Sequence, residues 1–184
     1  NERSNCRLGE GLGEDGMLQA DRIQVALAAM ARFAGIMKAM GVTTIHAVAT
    51  AAVRRARNAA EFTGPAEAII GQPIEVLSQD EEAHFVSQGL TLNIPEATGF
   101  VADLGGGSLE VVKLQRGVAQ HSISFNFGHL STVTADDLRN AFHSTPWLAG
   151  DSSTRIFGVG GSFRALGLAS VSYTHLRAHE TSLH

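Results

Sequence analysis

A single cysteine, Cys6, is all the thiol chemistry available in 184 residues, so an internal disulfide is excluded. A lone thiol fits a reducing compartment, and a cytoplasmic location is the expectation. As a nucleophile Cys6 is poorly placed, in a polar, glycine-flanked start with no histidine near it in sequence. Basic residues are also short: 14 Lys and Arg against 18 Asp and Glu give a net charge of −4, which argues against a nucleic-acid partner. Phosphates could still be held locally, by a few arginines and loop amides. Long apolar runs are missing too. The most apolar helical pattern is interrupted by Arg22, Arg32 and Lys38, so no membrane span is expected. With 44% apolar and 17% charged residues and no block of like charge, the chain reads as an ordinary globular protein of one domain or two small ones.

What is present is concentrated in Val101-Ala102-Asp103-Leu104-Gly105-Gly106-Gly107-Ser108-Leu109-Glu110. An apolar run, Gly99 to Leu104, reaches a carboxylate, turns through three glycines and leaves as a second apolar run, Leu109 to Leu114. That pattern predicts a β-hairpin. A two-residue turn would not need three glycines, which cost backbone entropy, but close approach to an anion would use them. Ser108 adds a hydroxyl donor, and Asp103 and Glu110 put two acids where a hard divalent cation bridging phosphate oxygens could sit. A tight core hairpin with both acids solvated would read the same, so the loop alone leaves both readings open.

Around that hairpin the chain reads as α/β. Ile23, Leu27, Met30, Ala34 and Met37 recur at helical spacing and predict a helix over 20–40, stopped by Gly41. Val42 to Ala49 reads as a strand. Arg54, Arg55 and Arg57 follow on a short helical stretch past its end, where ligand-binding groups collect in open α/β sheets. Asn58 and Glu61 look like a cap and its return partner for a helix toward Gly71 that Pro65 should kink or restart. Pro73 to Leu77 reads as a short strand, and Ser78-Gln79-Asp80-Glu81 as a capping box opening helix 79–92. That cap assigns Glu81 a structural duty. Glu82 projects about 100° further round the helix and is left for other work, as a solvated first-turn acid or a general base.

Pro95 to Gly99 marks a boundary. After the hairpin come a strand over Val118–Phe125, a helix opened by Thr134, and a strand over Arg155–Val159. That strand runs into Gly160-Gly161-Ser162, a second Gly-Gly-hydroxyl turn at a helix start. From Val171 the text changes character and holds the only tyrosine. His175 and His179 have zinc-like spacing but no third ligand, and residues 171–184 resemble translated adapter sequence more than protein, so they are set aside.

Four segments in this order, ATAAVRRARN, IEVLSQDEEAHF, VADLGGGSLEVV and GVGGSFRALG, resemble the exopolyphosphatase and guanosine pentaphosphate phosphohydrolase family, Ppx/GppA, over about residues 20 to 170. The resemblance implies an actin-like ATPase (ribonuclease H-like) fold, two α/β lobes around a phosphate cleft, incomplete here. The implied lobes are 1–96, lacking its first phosphate hairpin, and 97–170, the start of the second. It further implies Mg2+-assisted hydrolysis of a terminal phosphoanhydride in polyphosphate or guanosine pentaphosphate, and leaves room for a homodimer of the full-length parent. Glu82 matches the catalytic glutamate that would deprotonate water. Gly105, Gly106, Gly107 and Ser108 match a phosphate loop, and Asp103 and Glu110 match metal or water ligands. Arg54 matches the arginine of the first motif, and Gly160, Gly161 and Ser162 match the second-lobe turn.

Three departures stand out. No Asp-x-Gly-Ser-Asn-Ser hairpin precedes Asn1, Gln79 stands where the family usually has glycine, and His129-Leu130-Ser131-Thr132 follows Gly128 where an arginine-bearing segment is common. A fragment truncated at both ends, of low stability alone, is therefore the expectation. A phosphate or nucleotide sensor without turnover, and a kinase on the same fold, are the competing readings.

Overall fold

The computed structural model describes residues 3–12, 15–148 and 155–168; the segment 171–184 set aside above lies outside the described residues. Two compact units divide the chain, Asn1–Glu82 and Ala83–His184. Where the sequence placed a boundary at the Pro95 stretch, the division falls after Glu82, inside a helix. The cause is packing: Ala83, Val86 and Leu90 of that helix belong to one apolar cluster with Val101, Val112 and Leu114.

In the first unit, α1 (Ala20–Ala39) forms where its spacing predicts and buries Ile23, Ala26 and Ala29. Leu18, Ile23, Ala26, Val53, Phe62 and Ala66 make the core. Each large side chain fully buried there contributes roughly 1.5–3 kcal/mol. β1 is only Ala47–Ala49, shorter than the 42–49 run expected. It pairs in parallel with β2 (Ile74–Val76) through Ala47↔Ile74, Val48↔Glu75 and Ala49↔Val76. Strand length is set by the partner as much as by the side chains, and among the described residues Val42 to His46 have no strand beside them.

Between β1 and β2 lie α2 (Ala51–Arg55) and α3 (Ala60–Ile70). Asn58 pairs with Glu61 as expected, its amide donating to Glu61 Oε2 at 3.0 Å, but its side chain does not cap the α3 backbone. Its side-chain oxygen accepts the Leu18 N–H at 2.8 Å and its amide donates to the Leu18 carbonyl at 3.1 Å, so the group is used as a peptide surrogate against a distant segment. Ala59 takes the cap position without a side-chain bond. Pro65, expected to kink or restart the helix, sits inside α3, which continues through it. Burial of Phe62, Ala66 and Ile70 along one face offsets the single backbone bond that proline removes.

α4 (Gln79–Thr91) opens with the capping box read from the sequence. The Glu81 carboxylate accepts from the Ser78 N–H and hydroxyl, each at 2.8 Å, and the Glu81 N–H donates back to Ser78 Oγ at 3.2 Å. Those bonds hold the Glu81 carboxyl below its ordinary range.

The second unit is built on a four-stranded sheet. β3 (Gly99–Leu104), β4 (Leu109–Gln115) and β5 (Val118–Phe125) form an antiparallel meander with the bounds the pattern predicts, save one residue at the end of β4. β6 (Ile156–Val159) adds parallel to β3, giving the order β5-β4-β3-β6. Val101, Val112 and Leu114, at 0–1% exposure, anchor its core. One irregularity sets the register. Leu114 pairs with Ala119 but Lys113 with His121, so Gln120 is an extra residue in β5, and from there Glu110 faces Ser124. α5 (Ala135–His143) is opened by a Thr134–Asp137 capping box, and residues 160–168 are helical. Among the described residues, no helix is long and apolar enough to cross a membrane.

Candidate functional site

In the second unit the hairpin register puts Asp103 directly opposite Glu110, and Leu104 opposite Leu109. Opposed residues of an antiparallel pair share a face, so two carboxylates meet side by side. Glu110 is only 1% exposed, and its Oε1 accepts a hydrogen bond from Ser124 Oγ of β5 at 3.0 Å. On the other flank Asp103 is in register with Val159 of β6, and the next residue, Gly160, lies against it. A Cβ on Gly160 would collide with the Asp103 carboxylate, and its φ of +84° is one that side chains rarely adopt. The row Val159, Asp103, Glu110, Ser124 therefore crosses all four strands, with Gly160 against the acid pair, beside the carboxyl ends of the parallel pair β3 and β6, where open α/β sheets bind ligands.

Like charges directly opposite one another destabilise a sheet, and neither acid makes an ion pair among the described residues. Burial first, and then the Glu110 charge, push the Asp103 carboxyl above its ordinary range. No group of three or more His, Cys, Asp or Glu side chains converges among the described residues. Two carboxylates nevertheless suit Mg2+, which commonly takes one or two and completes its shell with water and phosphate oxygens.

A raised acid pKa means that the folded state binds the proton more tightly than the unfolded one, so this group's stabilising contribution is present at low pH and lost as pH rises through the folded value. Asp103→Asn removes the ionised form. With a chelator present, the variant is expected to melt higher than the parent at pH 7, the gap closing as pH falls through the raised folded value and gone below the ordinary value of 3.8. Thermal melts across that range check it, and a variant that melts lower at pH 7 would contradict the reading of a strained acid pair.

The glycine loop between the acids is held from one side. Gly105 N–H donates to the Ser108 carbonyl at 2.9 Å, closing the turn. The Gly105 carbonyl accepts from the His129 N–H at 3.0 Å, and the Gly106 carbonyl from the Leu130 N–H at 3.0 Å. A trans peptide points its N–H opposite to its C=O, so the Gly106 and Gly107 amides are aimed away from the 128–130 segment. Neither Gly105 nor Gly106 adopts a left-handed backbone, so their lack of a side chain serves close approach. A Cβ on Gly106 would already stand 3.4 Å from Leu130. Ser108 is 3% exposed, packed under the turn.

Ser162 also reaches this loop, but from below. Its hydroxyl donates to the Leu104 carbonyl at 2.7 Å, so its proton goes to the end of β3. Nothing lies within 4 Å of a Cβ built on Gly161, so only Gly160 of that pair is required by packing.

In the first unit the structure joins the two remaining residues singled out by sequence. Arg54 Nη1 donates to Glu82 Oε2 at 3.0 Å and to the Leu77 carbonyl at 2.6 Å. Both side chains are mostly buried, 19% and 16% exposed, so the pair is shielded from the screening that weakens surface ion pairs. Glu82 can reach Arg54 because Glu81 satisfies the cap one residue earlier. Sequence reasoning overlooked Ser124, Gly128 and His129 as parts of the site. Gly128 and His129 left a trace only as the segment marked as departing from the family pattern, and Ser124 left none.

The Ppx/GppA phosphatase family model matches residues 1–138. An exopolyphosphatase from Cytophaga hutchinsonii superposes with a TM-score of 0.81 at 23% identity, over 95% of this chain and 62% of its own. A PPX-GPPA enzyme from Aquifex aeolicus gives a TM-score of 0.61 at 27% identity, over 84% of this chain and 56% of its own. An exopolyphosphatase-like protein gives 0.66 at 27% identity, over 85% and 57%. The chain thus spans about three-fifths of the length of these structures. With four motifs in order, an α/β actin-like fold and a family match over most of its length, the chain belongs to the Ppx/GppA phosphatase family.

Proposed function

We propose that this chain carries the chemistry for hydrolysing a terminal phosphoanhydride bond, in inorganic polyphosphate or guanosine pentaphosphate. A water attacks the terminal phosphorus, the anhydride P–O bond breaks, and orthophosphate leaves together with a substrate shorter by one phosphoryl group. Glu82 takes the proton from that water. Its ion pair with Arg54 fixes the carboxylate in place, which a base within a small reacting geometry needs. The Gly105–Ser108 turn holds phosphate oxygens through backbone amides, neutral donors that cost no reorganisation at the moment of reaction. Asp103 and Glu110 would hold Mg2+, which neutralises phosphate charge as the bond breaks.

The observation that carries this reading is the acid pair at the glycine turn. Two opposed carboxylates, one of them almost wholly buried and neither ion-paired among the described residues, are a costly arrangement for a hairpin whose only duty is structural. The same pair is useful beside a polyanion that brings a cation. The test is release of orthophosphate from polyphosphate and from guanosine pentaphosphate, with and without Mg2+. Mg2+-dependent release from either is the expected outcome. Tight binding of tripolyphosphate with no release under any condition would leave a sensor in place of an enzyme.

A further inference from the structure

The structure gives the histidine after Gly128 a task. His129 Nδ1 lies 2.9 Å from the Gly105 carbonyl oxygen, the same oxygen that accepts the His129 backbone N–H at 3.0 Å. A carbonyl only accepts, so Nδ1 carries the proton and donates. The ring also covers the glycine turn: a Cβ on Gly106 would be 3.9 Å from His129 Cε1. Ser162 Oγ stands 3.5 Å from Nδ1, but its proton is given to Leu104, leaving Gly105 as the better partner of the imidazole.

We infer that His129 is a positioning residue for the phosphate-holding turn: by clamping the Gly105 carbonyl from backbone and side chain together, it keeps the following amides directed at the anion. The inference rests on the proposed role of the turn. A clamp of this kind acts on the fraction of molecules whose turn is ready to bind. Losing it weakens apparent affinity in proportion to that fraction, while a turn already filled by substrate reacts as before. The effect therefore falls on KM and spares kcat.

Three substitutions separate this from a general structural role. Asparagine places an amide nitrogen where Nδ1 sits, glutamine places it where Nε2 sits, and alanine places nothing. His129→Ala and His129→Gln are expected to raise KM for polyphosphate and to speed hydrogen exchange of the 105–108 amides roughly three- to tenfold, about what one hydrogen bond is worth. His129→Asn should restore both toward the parent values, with kcat nearly constant across the series. Equal KM and equal exchange in all four proteins would overturn the inference. So would a uniform loss of melting temperature and of protection everywhere, with asparagine no better than alanine. The exchange pattern reads the clamp without turnover, so a protein that releases no phosphate but shows the asparagine rescue would sink the hydrolase reading and leave the clamp standing.

Discussion

Glu82→Gln is expected to lower the rate of phosphate release by about 10²–10⁴-fold, the usual worth of a positioned base, while KM for polyphosphate changes little. The substitution is informative because it keeps the size and shape of the side chain. A glutamine amide oxygen can still accept from Arg54 Nη1, the contact now made by Oε2 at 3.0 Å. The capping box one residue earlier belongs to Ser78 and Glu81 and is untouched. What disappears is a group able to take a proton, together with the negative charge that balances Arg54. If the variant keeps most of the parent rate, the base lies elsewhere and the Arg54–Glu82 pair is an internal brace.

Gly128→Ala should be nearly as damaging by a different route. A Cβ at that position would fall on the carbonyl carbon and oxygen of Gly106 and the nitrogen of Gly107. These are all backbone atoms, so no side chain can swing aside, and the turn itself must move. Crowding of this kind costs about 1–3 kcal/mol of stability. The displacement would also stretch the bonds from His129 and Leu130 to the Gly105 and Gly106 carbonyls. A phosphate loop shifted by about 1 Å is expected to lose on the order of 10²-fold in activity. Gly35→Ala is the control, because a Cβ there meets open space inside α1. Normal turnover by Gly128→Ala would mean that the glycine turn does not hold the phosphate.

Features governed by neighbours in sequence were legible. The Ser78–Glu81 cap needs four consecutive residues, and both partners are named by the sequence alone. The bounds of β3 and β5 follow from alternation punctuated by glycine. Features governed by distant chain were not. The 42–49 run has strand chemistry, yet its first residues lie outside the ladder for want of a neighbour. Asn58 pairs with Glu61 as its cap chemistry suggests, but its side-chain oxygen goes to Leu18, forty residues away, and not to the α3 backbone. The site divides the same way. Asp103, Glu110 and the glycines announce themselves in one short stretch, and Glu82 emerges by subtraction once the cap has claimed Glu81. Ser124 and His129 depend on how β5 and the segment after it return to the hairpin.

Counting back from the Arg116–Gly117 turn with an even ladder would bring Ile123, not Ser124, against Glu110, and an apolar branched side chain cannot donate to a carboxylate. The surplus residue Gln120 prevents this by changing the phase of the strand before it reaches the acids. The meander is thereby uncoupled into a distal half that follows its turn and a proximal half that follows the core. Deleting Gln120 would rejoin the two halves in one even ladder, so a residue far from the acids decides whether Glu110 has a hydroxyl beside it.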